Sequence, residues 1–146
     1  MATDLTQRPP RSPRVRLGGY VLLPRLLDKG RASLIGKQGE YHYNCPLDQR
    51  FFEFVGLSAD AVKEQLATGK NDTEMLEWIK TVSPKKHSAF EIAAWSRFQE
   101  ERVPTDIDSR QYFNDLHAKT APKREDINTW FDLLDVDDYA SYGGAA

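Results

Sequence analysis

Residues 22–36 read LLPRLLDKGRASLIG. Pro24 suits the first turn of a helix, where its missing N–H leaves no bond unmade. Leu26, Leu27, Leu34 and Ile35 then form an apolar stripe, and Gly36 supplies the stop. Gly30 costs roughly 1 kcal/mol against alanine inside such a helix, and marks either close backbone packing or a break. The same punctuation recurs along the chain. Pro46 opens a second helix through Phe51, Phe52 and Phe54 to Gly56, and Ser58 caps a third with Ala61, Val62 and Leu66 before Gly69. Asn71-x-x-Glu74 starts a fourth, carrying Met75, Leu76, Trp78, Ile79 and Val82, halted by Pro84. Ser88-x-x-Glu91 is a capping box for a fifth, with Phe90, Ile92, Ala93, Ala94, Trp95 and Phe98 as its apolar face. Tyr112, Phe113 and Leu116 make a sixth before Pro122. Ile127, Trp130, Phe131 and Leu134 fall at i, i+3, i+4 and i+7, one face of a last helix. The expectation is an all-α single compact domain of six or seven short helices. One short hairpin-like segment is predicted near residues 40–43, where Glu40-Tyr41-His42-Tyr43 alternates polar and aromatic residues.

The domain divides into a flexible basic arm over 1–16, the helical body over 17–138 and a flexible tail over 139–146. The chain has 146 residues, 40% hydrophobic and 29% charged, which suits a globular core and argues against wholesale disorder. One cysteine excludes an internal disulfide framework and a cysteine-based zinc site. No apolar run reaches 18 residues, so a spanning helix and a membrane partner are not expected. The first residues lack an apolar leader core; a cytoplasmic protein is expected. No Walker loop, GxGxxG or HExxH motif occurs, and no cofactor is expected. The net charge of −2 hides an asymmetry. Residues 1–37 hold eight Lys and Arg against two acids, a net +6, and the rest sums to −8. These opposite ends meet within one subunit, meet between copies in a homo-oligomer, or stay solvated. Arg8, Arg11, Arg14 and Arg16 lie among Pro9, Pro10 and Pro13, which favour an extended arm. The acidic remainder, and the lack of aromatics before Tyr20, count against nucleic acid as a partner.

The stretch Leu17-Gly18-Gly19-Tyr20, Leu23-Pro24-Arg25, Asp28-Lys29, Arg31-Ala32, then Gly39 through Gln49, resembles a bacterial family catalogued as DUF5069. Phe52-Glu53-Phe54 through Asp72 and Trp78-Ile79 follow the same pattern, so the resemblance covers roughly residues 15–82. It implies a small, mainly helical bacterial protein. It carries no activity and no catalytic residues.

Two groups of residues are candidates for a site. Arg25, Lys29 and Arg31 lie on one predicted helix with Asp28 between them. They either hold a small anionic ligand or an acidic protein segment, or form ion pairs that fix packing. Beside them stand Tyr41, His42, Tyr43, Asn44, Cys45 and Asp48. With Pro46 as the first helical residue, Cys45 is the N-cap and Asp48 sits at N3. A sulfur there faces free N–H groups, and His42 is a base for it if the loop folds back. A catalytic Cys45, His42 and Asp48 is therefore one reading, a polar ligand contact a second, and a small junction residue a third. His87 with Glu91, and Asp115 with His117, do not make the ligand set of a metal site. Trp78, Trp95 and Trp130 belong to the core or line a pocket between helices.

Overall fold

The structure is a computed structural model that describes residues 2–146. Among the described residues seven helices take up 56% of the chain: α1 (Leu23–Leu34), α2 (Pro46–Val55), α3 (Ala59–Ala67), α4 (Asp72–Val82), α5 (Ala89–Glu101), α6 (Ile107–Thr120) and α7 (Trp130–Ser141). Their starts follow the caps in the sequence. Ser58 accepts the Ala61 N–H, and Asn71/Glu74, Ser88/Glu91 and Thr129/Asp132 form reciprocal capping boxes. The domain is all-α, as expected.

The largest core cluster lies between α1, α2, α3 and α4, where Leu23, Leu26, Leu27, Phe51, Val55, Val62, Met75 and Ile79 are all fully buried. A second joins Phe113 of α6 to Leu133 and Val136 of α7, with Ala121 and Ile127 from the loop between them. Val21, Leu22 and Phe131 form a third, which shares Trp95 with the first. Gly30 is where α1 meets α3: a Cβ there would stand 2.5 Å from Leu66 Cδ1 and 3.1 Å from the Tyr43 ring. It marks close packing and not a break, since α1 runs through it.

Three sequence expectations meet a different structure. Residues 40–43 form no strand; among the described residues the one β-bridge is Leu17 with Tyr20. The alternating tyrosines there are used separately. Tyr43 OH donates to the Ala59 carbonyl, and Tyr41 OH donates to Asp138. Second, α5 turns much of its apolar side outward. Phe90 is 81% and Phe98 60% exposed, while Ser96 and Gln99 are buried. Ser96 Oγ donates to the Gly19 carbonyl and accepts the Val21 N–H, so a polar clasp decides which face docks. In a helix apolar on most sides, periodicity does not select that face.

Third, the basic residues of the arm lie against the body. Leu5 is fully buried and its N–H donates to the Lys37 carbonyl. Arg11 forks onto Asp28 at 2.8 and 3.0 Å and reaches Asp72 at 2.7 Å. Arg14 pairs with Asp132 and Asp135, and Arg16 with Glu100. At the other end, α7 continues to Ser141 and Tyr142 OH donates to the Leu5 carbonyl. Opposite charges separated in sequence thus meet within one chain.

Deleting residues 1–16 removes a buried leucine, worth about 1.5–3 kcal/mol, and strips Asp28 of its arginine. Urea denaturation is expected to show a loss of at least ~2 kcal/mol. A freely mobile arm would leave the midpoint unchanged.

Candidate functional site

Helix α1 is buried along most of its length, yet carries Arg25, Asp28, Lys29 and Arg31. A buried charge is costly unless it is paired and hydrogen-bonded. Each of the four has such a partner, and each partner comes from a different element. Arg25 Nη1 donates to Asp138 of α7 at 2.7 Å. Asp28 takes the Arg11 fork from the arm. Lys29 meets Asp48 of α2 at 2.9 Å, with both side chains under 5% exposed. Arg31 meets Asp72 of α4 at 2.8 Å.

These pairings divide the predicted ligand-binding set. Arg25, Lys29, Tyr41, His42, Cys45 and Asp48 line one cleft of about 610 Å³, together with Leu134, Asp137, Asp138 and Tyr142. Arg31 faces a different, open groove with Arg11, Asp28 and Asp72. There, burial opposes ionisation of Asp72, but hydrogen bonds from Arg11 and Arg31 outweigh it and hold the carboxyl below its ordinary range. Tyr43 points inward, with its ring against Phe52. Asn44 takes a left-handed backbone, φ 64°, a conformation asparagine tolerates. Its N–H donates to Asp48 Oδ2 at 2.9 Å.

Within the cleft, the Lys29 ammonium is fully committed. It donates to Asp48, to the His42 carbonyl at 3.1 Å and to Cys45 Sγ at 3.3 Å. Cys45 is the N-cap of α2, as the sequence predicts. His42 reaches this cluster through its backbone carbonyl, and its side chain is exposed. Asp48 spends one oxygen on Asn44 and both on Lys29. The Tyr41 ring lies 5.5 Å from the Arg25 guanidinium, and burial, then its bond to Asp138, raise the phenol. Asp137 is pushed up by burial and then by Asp138, against the pull of Arg25 and Lys119.

A second lobe of about 670 Å³ opens between α2, α6 and α7. It shares Cys45, Leu47, Tyr112, Leu134 and Asp137 with the first. Its own wall is apolar, from Leu116, Trp130 and Leu133, and carries Arg50 and Arg102. Among the described residues neither arginine makes an ion pair or a side-chain hydrogen bond, although Glu53 and Asp137 stand in the same lobe. Burial, then the like charge of Arg50, lower Arg102 from its ordinary value. Sequence reasoning missed both arginines. No spacing relates position 50 to position 102, and only the packing of α2 beside the end of α5 joins them.

His87 stacks on Phe54 at 3.8 Å, and Glu91 is used in its capping box. Among the described residues no group of three or more His, Cys, Asp or Glu could hold a metal. Among the described residues no helix is long and apolar enough to cross a membrane.

Replacing Asp48 with alanine leaves the Lys29 ammonium buried without a carboxylate. The expected cost is about 3–5 kcal/mol in chemical denaturation, with part recovered by adding Lys29→Met. Asp137→Asn tests the opposite case. A carboxyl raised by folding destabilises the native state while it is ionised and stops doing so below its unfolded value. The variant is therefore expected to be more stable than the parent near pH 7, with the gain vanishing as pH falls below the ordinary carboxylate range. A gain constant from pH 7 to pH 3 would contradict this.

No curated protein matches the chain. The model of a domain of unknown function, DUF5069, matches residues 7–140, which extends the resemblance from the N-terminal half to nearly the whole helical body, and the chain belongs to that family.

Proposed function

We propose that the protein is a non-catalytic module that binds a small anionic ligand with an apolar part in the two-lobed cleft between α1, α2, α6 and α7. The supporting observation is the contrast between its arginines. Arg11, Arg14, Arg16, Arg25 and Arg31 all meet carboxylates of their own chain. Arg50 and Arg102 face a half-apolar lobe with no such partner among the described residues. Two guanidinium groups beside Leu116, Leu133 and Trp130 suit a carboxylate or phosphate carried on an aliphatic or aromatic body. The first lobe then contacts the polar remainder of the ligand through Tyr41, Cys45 and Tyr142.

Other readings have less support. An acidic protein segment docking on Arg25 would compete with Asp138, which already fills that place. Catalysis by Cys45, His42 and Asp48 needs an oriented base, and Asp48 is committed to Lys29. An assembly built on the charged ends would break pairs made within one chain. A cytoplasmic setting belongs to the proposal and accords with the lone free thiol.

Titration calorimetry with decanoate and with naphthoate tests it. Charge-assisted hydrogen bonds are worth about 1.5–3 kcal/mol each. The Arg50→Gln/Arg102→Gln variant is therefore expected to bind at least ~10-fold more weakly than the parent, and decanol likewise. Equal binding by parent and variant, or no binding of either acid by the parent, would overturn the reading.

A further inference from the structure

Helix α7 lays one face along the second lobe of the cleft. Trp130, Leu133, Leu134 and Asp137 fall at i, i+3, i+4 and i+7, and all four line that lobe. The two ends of this face carry opposite charge. At the start of α7 the Trp130 N–H donates to the Arg102 carbonyl at 3.0 Å, which seats Arg102 beside the first residue of the helix. Arg50 is near enough for its charge to lower Arg102. Asp137 lies seven residues beyond Trp130, about 10 Å further along the helix axis. Leu133 and Leu134 stand between the two ends.

Asp137 has no partner of its own. Among the described residues its carboxylate makes no ion pair and no side-chain hydrogen bond. The cations that act on it are Arg25 and Lys119, while the charge that acts on Arg102 is Arg50. The acid and the two arginines of this lobe therefore do not neutralise one another. Arg25 is held by Asp138, and the Lys119 side chain is exposed. Burial, then Asp138, oppose the ionisation of Asp137, and a cation bound beside it relieves that opposition. Asp137 lines the first lobe as well, so this charge stands where the two lobes join.

We propose that the acid bound in this cleft also carries an ammonium group at the far end of an apolar chain. Its acid group meets Arg50 and Arg102, its middle lies on Trp130 and Leu133, and its ammonium meets Asp137 at the junction of the lobes. The ligand class is then an ω-amino acid. This assignment rests on the binding reading above and adds a second pole to it. An α-amino acid does not fit, because its two charges are one carbon apart, whereas the poles of the lobe stand about 10 Å apart along α7.

Calorimetric titration of the full chain with octanoate and with ω-aminooctanoate tests it. The parent is expected to bind the amino acid at least ~10-fold more tightly than octanoate. Asp137→Asn is expected to bring that ratio close to one, and Arg50→Gln/Arg102→Gln to weaken both probes at least ~10-fold. Phenylalanine is expected to gain nothing over phenylpropanoate. Circular dichroism verifies the fold of each variant. Octanoate bound through the two arginines with no gain from the added amine, or a gain that survives Asp137→Asn, would overturn this proposal and leave the binding reading standing. An equal gain by phenylalanine would overturn the spacing and with it the ω-amino class. Binding of neither octanoate nor ω-aminooctanoate by the parent would overturn both.

Discussion

The neutralisation of α1 is the constraint on which the rest of the structure depends. A helix buried along most of its length carries Arg25, Asp28, Lys29 and Arg31, and the hydrophobic effect that buries its leucines takes those charges with them. The position of α1 is acceptable only when Asp138, Arg11, Asp48 and Asp72 all arrive. The arm, α2, α4 and α7 are thereby held to one axis by ion pairs as well as by apolar contact. Such pairs add little net stability over well-packed hydrophobic residues. Their effect is on specificity, because a misplaced element leaves an uncompensated charge in the interior.

This arrangement changes the meaning of the candidate cations. Arg25 and Lys29 do line a cleft, but each already has its counter-ion, and Arg31 faces elsewhere. The ordinary signature of an anion site, arginine and lysine close together on a helix, here describes the wiring of the fold. Arg50 and Arg102 have no comparable neighbours in sequence, and among the described residues they line a half-apolar lobe without forming an ion pair.

Local physics was legible in the residues. Pro24, Pro46, Ser58, Asn71 and Ser88 mark helix starts because capping acts within three or four positions. Cys45 as N-cap and Asp48 beside it follow from Pro46 alone. What escaped depends on distant contacts. Arg11 reads as part of a loose, proline-rich arm until Asp28 and Asp72 are brought to it. The outward face of α5 is decided by Ser96 clasping Gly19 and Val21, which no periodicity encodes. Tyr41 and Tyr43 alternate like a strand but are anchored to Asp138 and Ala59 in different directions.

The pair between Arg25 and Asp138 spans 113 positions of sequence. A chain emerging from a ribosome in order exposes α1 long before Asp138. Until then Arg25 lacks its carboxylate, and the helix that anchors the fold has to wait in solvent or in a looser packing. The leucines of α1 meet α3 within a few tens of residues, so a partial core can gather during synthesis, while its closure waits for α7. Folding of this small domain is then closer to a single late event than to growth from one end.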